Sequence, residues 1–260
     1  MRFLLMLVFS LTHLALAHSQ FAYLPNATTI HVFPGTKLPP MTGEAGFYSE
    51  QFKVIVGGKF LDAKTLELEA IYNCDMLVLD YEVNKTYVLP LSYFPPFVAD
   101  QFSGVHYCYT MDKDTAYLLG GYGYDLAKGY ETTFPLLTIF PIKTLIDRVV
   151  QKKEFLDLFE VVSDNRLAVM EGTLVHHGQY FLVTDGKEIT PVQEEFTDRL
   201  TVNEWDYRGQ MRKFRLKSPD GFREVDEFQI CTTAKTFYQC MPDRWRPKPN
   251  KVTMIDRDKK

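Results

Sequence analysis

Five histidines follow residue 17: His18, His31, His106, His176 and His177. An imidazole trio can hold zinc or copper. His176-His177 closes an apolar run beside Gly178, however, and neighbours on a strand point to opposite faces. The pair therefore cannot chelate one ion unless the turn breaks that alternation, and solvated or hydrogen-bonded histidines are the expectation. Asp164, Glu171, Glu204 and Asp206 are carboxylates available for acid–base work, although turn and surface roles account for most such residues. No nucleophile elbow, phosphate loop or zinc-protease motif occurs. Gly121-Tyr-Gly123 lacks both the third glycine and the helix of a dinucleotide fingerprint. No catalytic residue, metal or cofactor is expected.

Aromatic side chains offer binding rather than catalysis. Tyr122, Tyr124, Tyr130, Phe134 and Trp205 fall in or near inter-strand loops, where exposed rings stack on sugars or anchor peptides. Tyr122, Tyr124 and Trp205 are the candidate ligand contacts. With 20 Phe and 15 Tyr, many of the other rings must fill sheet interfaces. The four cysteines, Cys74, Cys108, Cys231 and Cys240, allow three complete pairings. Cys231–Cys240 closes a short loop and Cys74–Cys108 links two strands of one sheet; buried free thiols fit equally well. No Cys-x-x-Cys pair supports structural zinc. Asn26-Ala-Thr28 and Asn84-Lys-Thr86 match the glycosylation triplet, which matters only in a host that glycosylates.

The elements that must position these residues repeat along the chain. Lys53-Val-Ile-Val-Gly57-Gly58 is an apolar run closed by two glycines, and Ala116-Tyr-Leu-Leu-Gly120-Gly121 repeats it 63 residues later. Gln179–Gly186 is a degenerate third copy, with Asp185-Gly186 at the turn. Gly57, Gly58, Gly120, Gly121 and Gly186 are expected to let the backbone turn at positive φ and neighbouring chains approach. A strand precedes each unit: Ala45–Ser49, Val105–Met111 and Leu167–Val175. A third strand follows each: Asp75–Asp80, Phe134–Phe140 and Arg199–Asp206. The fourth strands are Thr86–Leu91, Phe159–Ser163 and Met211–Leu216. Four antiparallel strands per unit with glycine punctuation is a propeller-blade pattern. Ile142–Val150, with Leu145, Ile146, Val149 and Val150 at helical spacing, predicts one short inserted helix packed on its own sheet.

Val56-Gly57-Gly58, Asn73–Asp80, Thr86–Leu91 and Tyr117–Tyr124 together resemble a kelch-type β-propeller. More specifically, residues 102–217 are similar to secreted bacterial kelch-like proteins. The similarity rests on Gly120–Gly123, Phe134–Thr138, Ile142–Val150, Asp164–Val169 and Arg212–Phe214. The resemblance implies an all-β fold, a partial or small kelch-like propeller of four-stranded blades, and an exported context, with no activity to carry over. Kelch folds include copper-radical oxidases and sugar mutarotases. Tyr107-Cys108 are neighbours, but adjacency on a strand does not supply an oxidase's Tyr–Cys crosslink and copper set, and fold analogy alone does not promote the carboxylates to isomerase residues. Three units fall short of the four to eight blades of closed rings. A truncated relative, a non-ring packing, or closure by a partner through open blade edges each fits that count.

The ends of the chain give an address. Arg2, the 14-residue apolar run Phe3–Leu16 and Ala15-Leu-Ala17 form the three parts of a cleaved secretory signal. That run is shorter than the roughly 20 residues of a membrane span, and no later stretch is long and apolar enough to be a transmembrane segment. The expected organisation is a signal peptide at 1–17, a lead-in at 18–44, a repeat domain at 45–240 and a basic, proline-containing tail at 241–260. The tail carries seven Lys/Arg against three Asp and reads as solvated, with a basic contact arm as the alternative. Removing Arg2 takes the formal charge from −4 to −5, which argues against a general nucleic-acid partner. Composition, at 46% hydrophobic and 24% charged, excludes a disordered chain. The leading expectation is a secreted or periplasmic binding or scaffold protein whose exposed loops take a protein or carbohydrate. A carbohydrate-active propeller enzyme and a truncated, functionless fragment are the alternatives.

Overall fold

A computed structural model describes residues 30–61, 71–193, 200–218 and 223–232. The expected signal peptide, the Asn26 triplet, His18, Cys240 and the basic tail lie outside the described residues. The fold is all-β and partially propeller-like, built from three antiparallel meanders. The first blade comprises β3 (Ala45–Ser49), β4 (Phe52–Val56), β7 (Asp75–Asp80) and β8 (Lys85–Pro90), with β1 (His31–Pro34) added along β8. The second comprises β9 (Cys108–Asp112), β10 (Thr115–Leu119), β13 (Leu136–Pro141) and β14 (Glu160–Ser163). The third comprises β15 (Thr173–His177), β16 (Tyr180–Thr184), β19 (Met211–Lys217) and β20 (Glu224–Cys231).

Each blade carries an arm between its second and third strands, immediately after the glycine turn. The arms pair β5 (Lys59–Phe60) with β6 (Ile71–Tyr72), β11 (Tyr122–Asp125) with β12 (Tyr130–Thr133), and β17 (Lys187–Gln193) with β18 (Leu200–Asp206). A further strand, β2 (Met41–Thr42), lies against β5. The third arm corrects the strand assignment expected above. Residues 200–206 do not form the third strand of the last blade; they pair with β17, while β19 takes the third position and β20 the fourth. Arm and blade strands have the same β-branched and aromatic content. Only pairing separates them, here the register that sets Phe214 opposite Phe181.

The inner blade strands β7, β10 and β13 bury both faces, which is why β10 reads as a continuous apolar run. Alternate side chains enter opposite interfaces. Ala116 and Leu118 pack with Val54, Val56, Met76, Val78 and Phe140 toward the first blade. Tyr117 and Leu119 pack with Leu137, Leu174, Phe181 and Phe214 toward the third. Each large aliphatic or aromatic side chain so buried contributes about 1.5–3 kcal/mol.

Among the described residues two α-helices, not one, interrupt the strands: α1 (Pro96–Phe102) and α2 (Ile142–Val150). Pro95 caps α1 and Pro96 opens it, since proline suits the first helical turn, where no intrahelical N–H is required. In α2 the buried stripe is Ile142, Leu145, Ile146 and Val149, whereas Val150 turns outward. This helix touches β3 and β4 as well as β13, so it seals the junction of two blades rather than covering its own sheet alone.

The outer faces of the end blades are also covered at their apolar positions. Ile55, Leu77 and Leu79 are buried with Leu38 and Met41 of the lead-in packed on them. Leu182, Met211 and Cys231 form a buried cluster on the far side of the third blade. The rest of that face is ionic: Arg215 pairs with Asp226 and Glu227, and Lys217 with Glu224 and Asp226.

Candidate ligand-binding rim

The glycine pairs root the arms. Gly120 and Gly121 have φ of 64° and 90°. A Cβ on Gly120 would collide with the Val169 carbonyl, and one on Gly121 with the Tyr107 ring. The Gly121 N–H donates to Val169 O at 2.9 Å, as Gly58 N–H does to Gly104 O one blade earlier at 2.9 Å. Gly57 faces Tyr107 from the other side. Gly186 also sits at positive φ, against Val169 and Met170. The first two glycine turns thus admit the segment that leads into the next blade, whereas Gly186 packs on the segment that leads into its own.

That lead-in then pairs with its own blade's arm. Val105 and Tyr122 exchange two backbone bonds of 2.8 Å, and Met170 and Lys187 do the same. The following residues, His106 and Glu171, adopt positive φ of 60° and 59° and occupy the place of Gly43 in the first blade. Their N–H groups form a stair between blades, His106 to Gly43 O and Glu171 to His106 O, each 2.8 Å. Non-glycine residues hold this conformation only where surrounding contacts fix it.

All three arms are stitched along one end of the molecule. Between the first and second, Tyr72 Oη donates to Glu131 Oε1 at 2.8 Å, while Tyr122 Oη, within the second arm, donates to Glu131 Oε2 at 3.0 Å. Between the second and third, Ile189 N–H donates to Thr133 Oγ1 at 2.8 Å and Thr132 Oγ1 donates to Ile189 O at 3.4 Å. Helix α1 braces the middle arm, because Asp100 Oδ2 accepts from Leu126 N–H at 3.1 Å. Burial raises the Asp100 carboxyl above the ordinary aspartate range, opposed by that same N–H. Burial and then the Glu131 hydrogen bond push the Tyr72 phenol upward and the Tyr122 phenol to about 12. Both phenols stay protonated at neutral pH.

Of the three aromatic candidates, Tyr122 lies within this node and Tyr124 stands half exposed on the same strand, directly across from Glu131. Trp205 is 59% exposed but belongs to the third arm, opposite Glu188. Tyr72 and Glu131 went unrecognised in the sequence. Tyr72 sits in a two-residue strand without periodicity, and Glu131 looks like any polar hairpin residue.

The other candidates separate. His106 Nδ1 lies 4.0 Å from Glu171, which pairs with Lys187 at 3.1 Å, and Lys187 reaches Glu204 at 3.6 Å. His176 is elsewhere, clustered with the Tyr117 and Phe181 rings, which also touch each other, and with Asp112 3.0 Å away. Asp164 and Asp206 bind Arg166 and Arg208 within local turns. Among the described residues no group of three His, Cys, Asp or Glu side chains converges as a metal site.

Of the two alternatives left open for Cys74 and Cys108, a link between them does not form. Both are free thiols: Cys74 is exposed beside the first arm, whereas Cys108 is buried in the second blade with its Sγ accepting from Gly172 N–H at 3.2 Å. Burial pushes the Cys108 thiol up to about 12. Neighbouring Tyr107 packs in the opposite interface, its hydroxyl donating to Gln101 O at 2.7 Å. Cys231 is disulfide-bonded.

No protein-family model matches the chain, and no curated protein does. Among solved structures the chain is similar to YjhT, at 14% identity and a TM-score of 0.37, over 60% of this chain and 36% of that one. The chain spans little more than a third of that protein's length, and a likeness at this level bears on no residue's role. No helix of the described residues is long and apolar enough to cross a membrane.

Proposed function

We propose that the chain is an exported, kelch-like, non-catalytic binding or scaffold module that meets a protein or carbohydrate ligand at its arm-bearing end. One observation carries this reading: side-chain hydrogen bonds join three arms from three blades into one continuous rim. A rim held in this way presents Tyr124 and Trp205 on a fixed base, which lowers the ordering cost of binding. The secretory pattern at residues 1–17 supports the exported context.

A glycan and peptide array probed with the full chain tests the reading. The expected result is a ligand class whose signal falls in Tyr124→Ala or Trp205→Ala while the circular dichroism spectrum is unchanged. Oxidation or anomer interconversion of a bound sugar would replace the binding reading with a catalytic one. Hits indifferent to both substitutions would move the site off the rim.

A further inference from the structure

We propose that Asn84 carries an N-linked glycan in the exported chain, with the first sugar stacked on the Tyr81 ring. The inference rests on the exported context proposed above and concerns the end of the first blade opposite the arms. Strand β7 starts beside the first arm, where Asn73 Nδ2 donates to Gly57 O at 3.1 Å, and its far end turns back into β8. Residues 81–84 form that turn between the paired Asp80 and Lys85. Asp80 Oδ1 accepts from the Glu82 and Val83 N–H groups at 3.1 and 3.2 Å, and Gly35 N–H donates to Asn84 O at 2.7 Å. Asn84 is exposed and holds a positive φ of 51°, a conformation that asparagine tolerates better than most residues. The triplet Asn84-Lys-Thr86 is thus displayed at the tip of a braced hairpin.

The two halves of the Asn84 amide are treated differently. Its Oδ1 accepts from Thr36 Oγ1 at 3.2 Å, while Nδ2, the atom that bears a glycan, has no partner among the described residues. A sugar on Nδ2 therefore breaks no hydrogen bond of the fold. Tyr81 and Asn84 are the first and last residues of the turn, so ring and amide are neighbours across its mouth. Tyr81 is 50% exposed, beside Val83 at 52% and, on β1 opposite Thr86, Phe33 at 53%. An open aromatic ring offers a flat apolar face to the C–H face of a pyranose. A glycan here covers an apolar corner that otherwise meets water, and it leaves the arms clear. Transfer draws on a polyprenyl diphosphate-linked oligosaccharide and the transferase of a secretory membrane. The bond from Nδ2 to the sugar C1 forms as the C1–O bond to the diphosphate breaks. The amide gives up one proton and the lipid diphosphate departs. The Thr86 hydroxyl that completes the triplet is free for recognition before folding, and afterwards donates to Gly35 O at 2.7 Å.

The test expresses the full chain, with its own residues 1–17, in a glycosylating eukaryotic cell line whose glycan processing is blocked at high-mannose forms. Glycopeptides of the secreted protein are mapped by mass spectrometry before and after peptide-N-glycosidase treatment. A glycan on the Asn84 peptide is expected, and Asn84→Gln should abolish it. Endoglycosidase then trims the glycan to its first sugar. The urea midpoint of the trimmed protein should exceed that of Asn84→Gln, and the difference should vanish when both carry Tyr81→Ala. Secreted protein with Asn84 unmodified, or with a glycan on Asn26 alone, would overturn the inference and leave export intact. A midpoint difference that survives Tyr81→Ala would remove the stacking from it. If the chain stays in the cytosol, both the exported context and the modification fall.

Discussion

At the scale of single residues, the glycine turns and the titrating carboxylates are the most exposed to test. Gly120→Ala forces a Cβ into the Val169 carbonyl, which is backbone and cannot swing away. A loss of about 3 kcal/mol or more in urea unfolding is expected. Gly178→Ala meets no atom within 4 Å and carries only the positive-φ penalty, about 1 kcal/mol. Similar losses at both positions would show that conformation, not close approach, selects the glycine pair. The pH dependence follows from two opposed groups of aspartates. Hydrogen bonds from Arg166 and Arg215 hold Asp164 and Asp226 below the ordinary value of 3.8. A depressed carboxyl adds stability above its unfolded value and loses it as pH falls through the folded one. Burial raises Asp75 and Asp100, so these gain stability as pH falls through their raised values. The urea midpoint should pass through a shallow maximum near pH 4 to 5 and drop below it. A midpoint that rises steadily to pH 2 would contradict the two arginine contacts.

Among the elements, α1 has the widest reach for its length. Gln101 is fully buried, and its Nε2 faces the carbonyls of Leu118, Gly120 and Leu136 at 3.4, 3.1 and 3.2 Å. Its Oε1 accepts from Thr138 Oγ1 at 2.6 Å. One side chain thus gathers carbonyls of β10, the glycine turn and β13 at one point, where Leu136 O also accepts from the Gly120 N–H at 2.8 Å. Gln101→Ala should cost about 2–4 kcal/mol, because the groups left behind are buried and desolvated. Hydrogen exchange should accelerate at the roots of the middle arm, whereas the third arm, anchored through Met170 and Lys187, should keep its protection. Exchange spread evenly over all arms would argue that α1 supports global packing instead. The sequence marked α2 by its apolar stripe, while α1 left no comparable signal. It is one short turn-rich helix behind two prolines, and its purpose is set by what Gln101 and Asp100 reach across space.

For the whole molecule, the central blade belongs to both interfaces, so removing either neighbour exposes one face of β10. A single cooperative unfolding transition is expected, observed alike by tryptophan fluorescence and far-ultraviolet circular dichroism. Separate melting of the third blade would break this coupling. The covered outer faces lead to a second expectation: light scattering on the full chain should give a monodisperse monomer. A defined dimer would instead mean that blades complete one another between chains, the self-association that three units suggested on count alone.

The amino-acid sequence by itself determined the all-β class, the spacing of the glycine turns, the limits of α2 and most blade strands. Those features are local. They arise from alternation of apolar side chains, helical spacing and the need for positive φ, and neighbours a few residues away suffice to impose them. Tertiary structure alone decided that 200–206 is an arm and not a blade strand, because both roles use the same residue types and only the partner strand distinguishes them. It alone separated Cys74 from Cys108, and it alone joined Tyr72, Tyr122 and Glu131, which are 59 and 9 residues apart from one another across two arms. Hydrogen bonds at such separations leave no period in the chain. They exist only after the glycine turns have set one blade against the next.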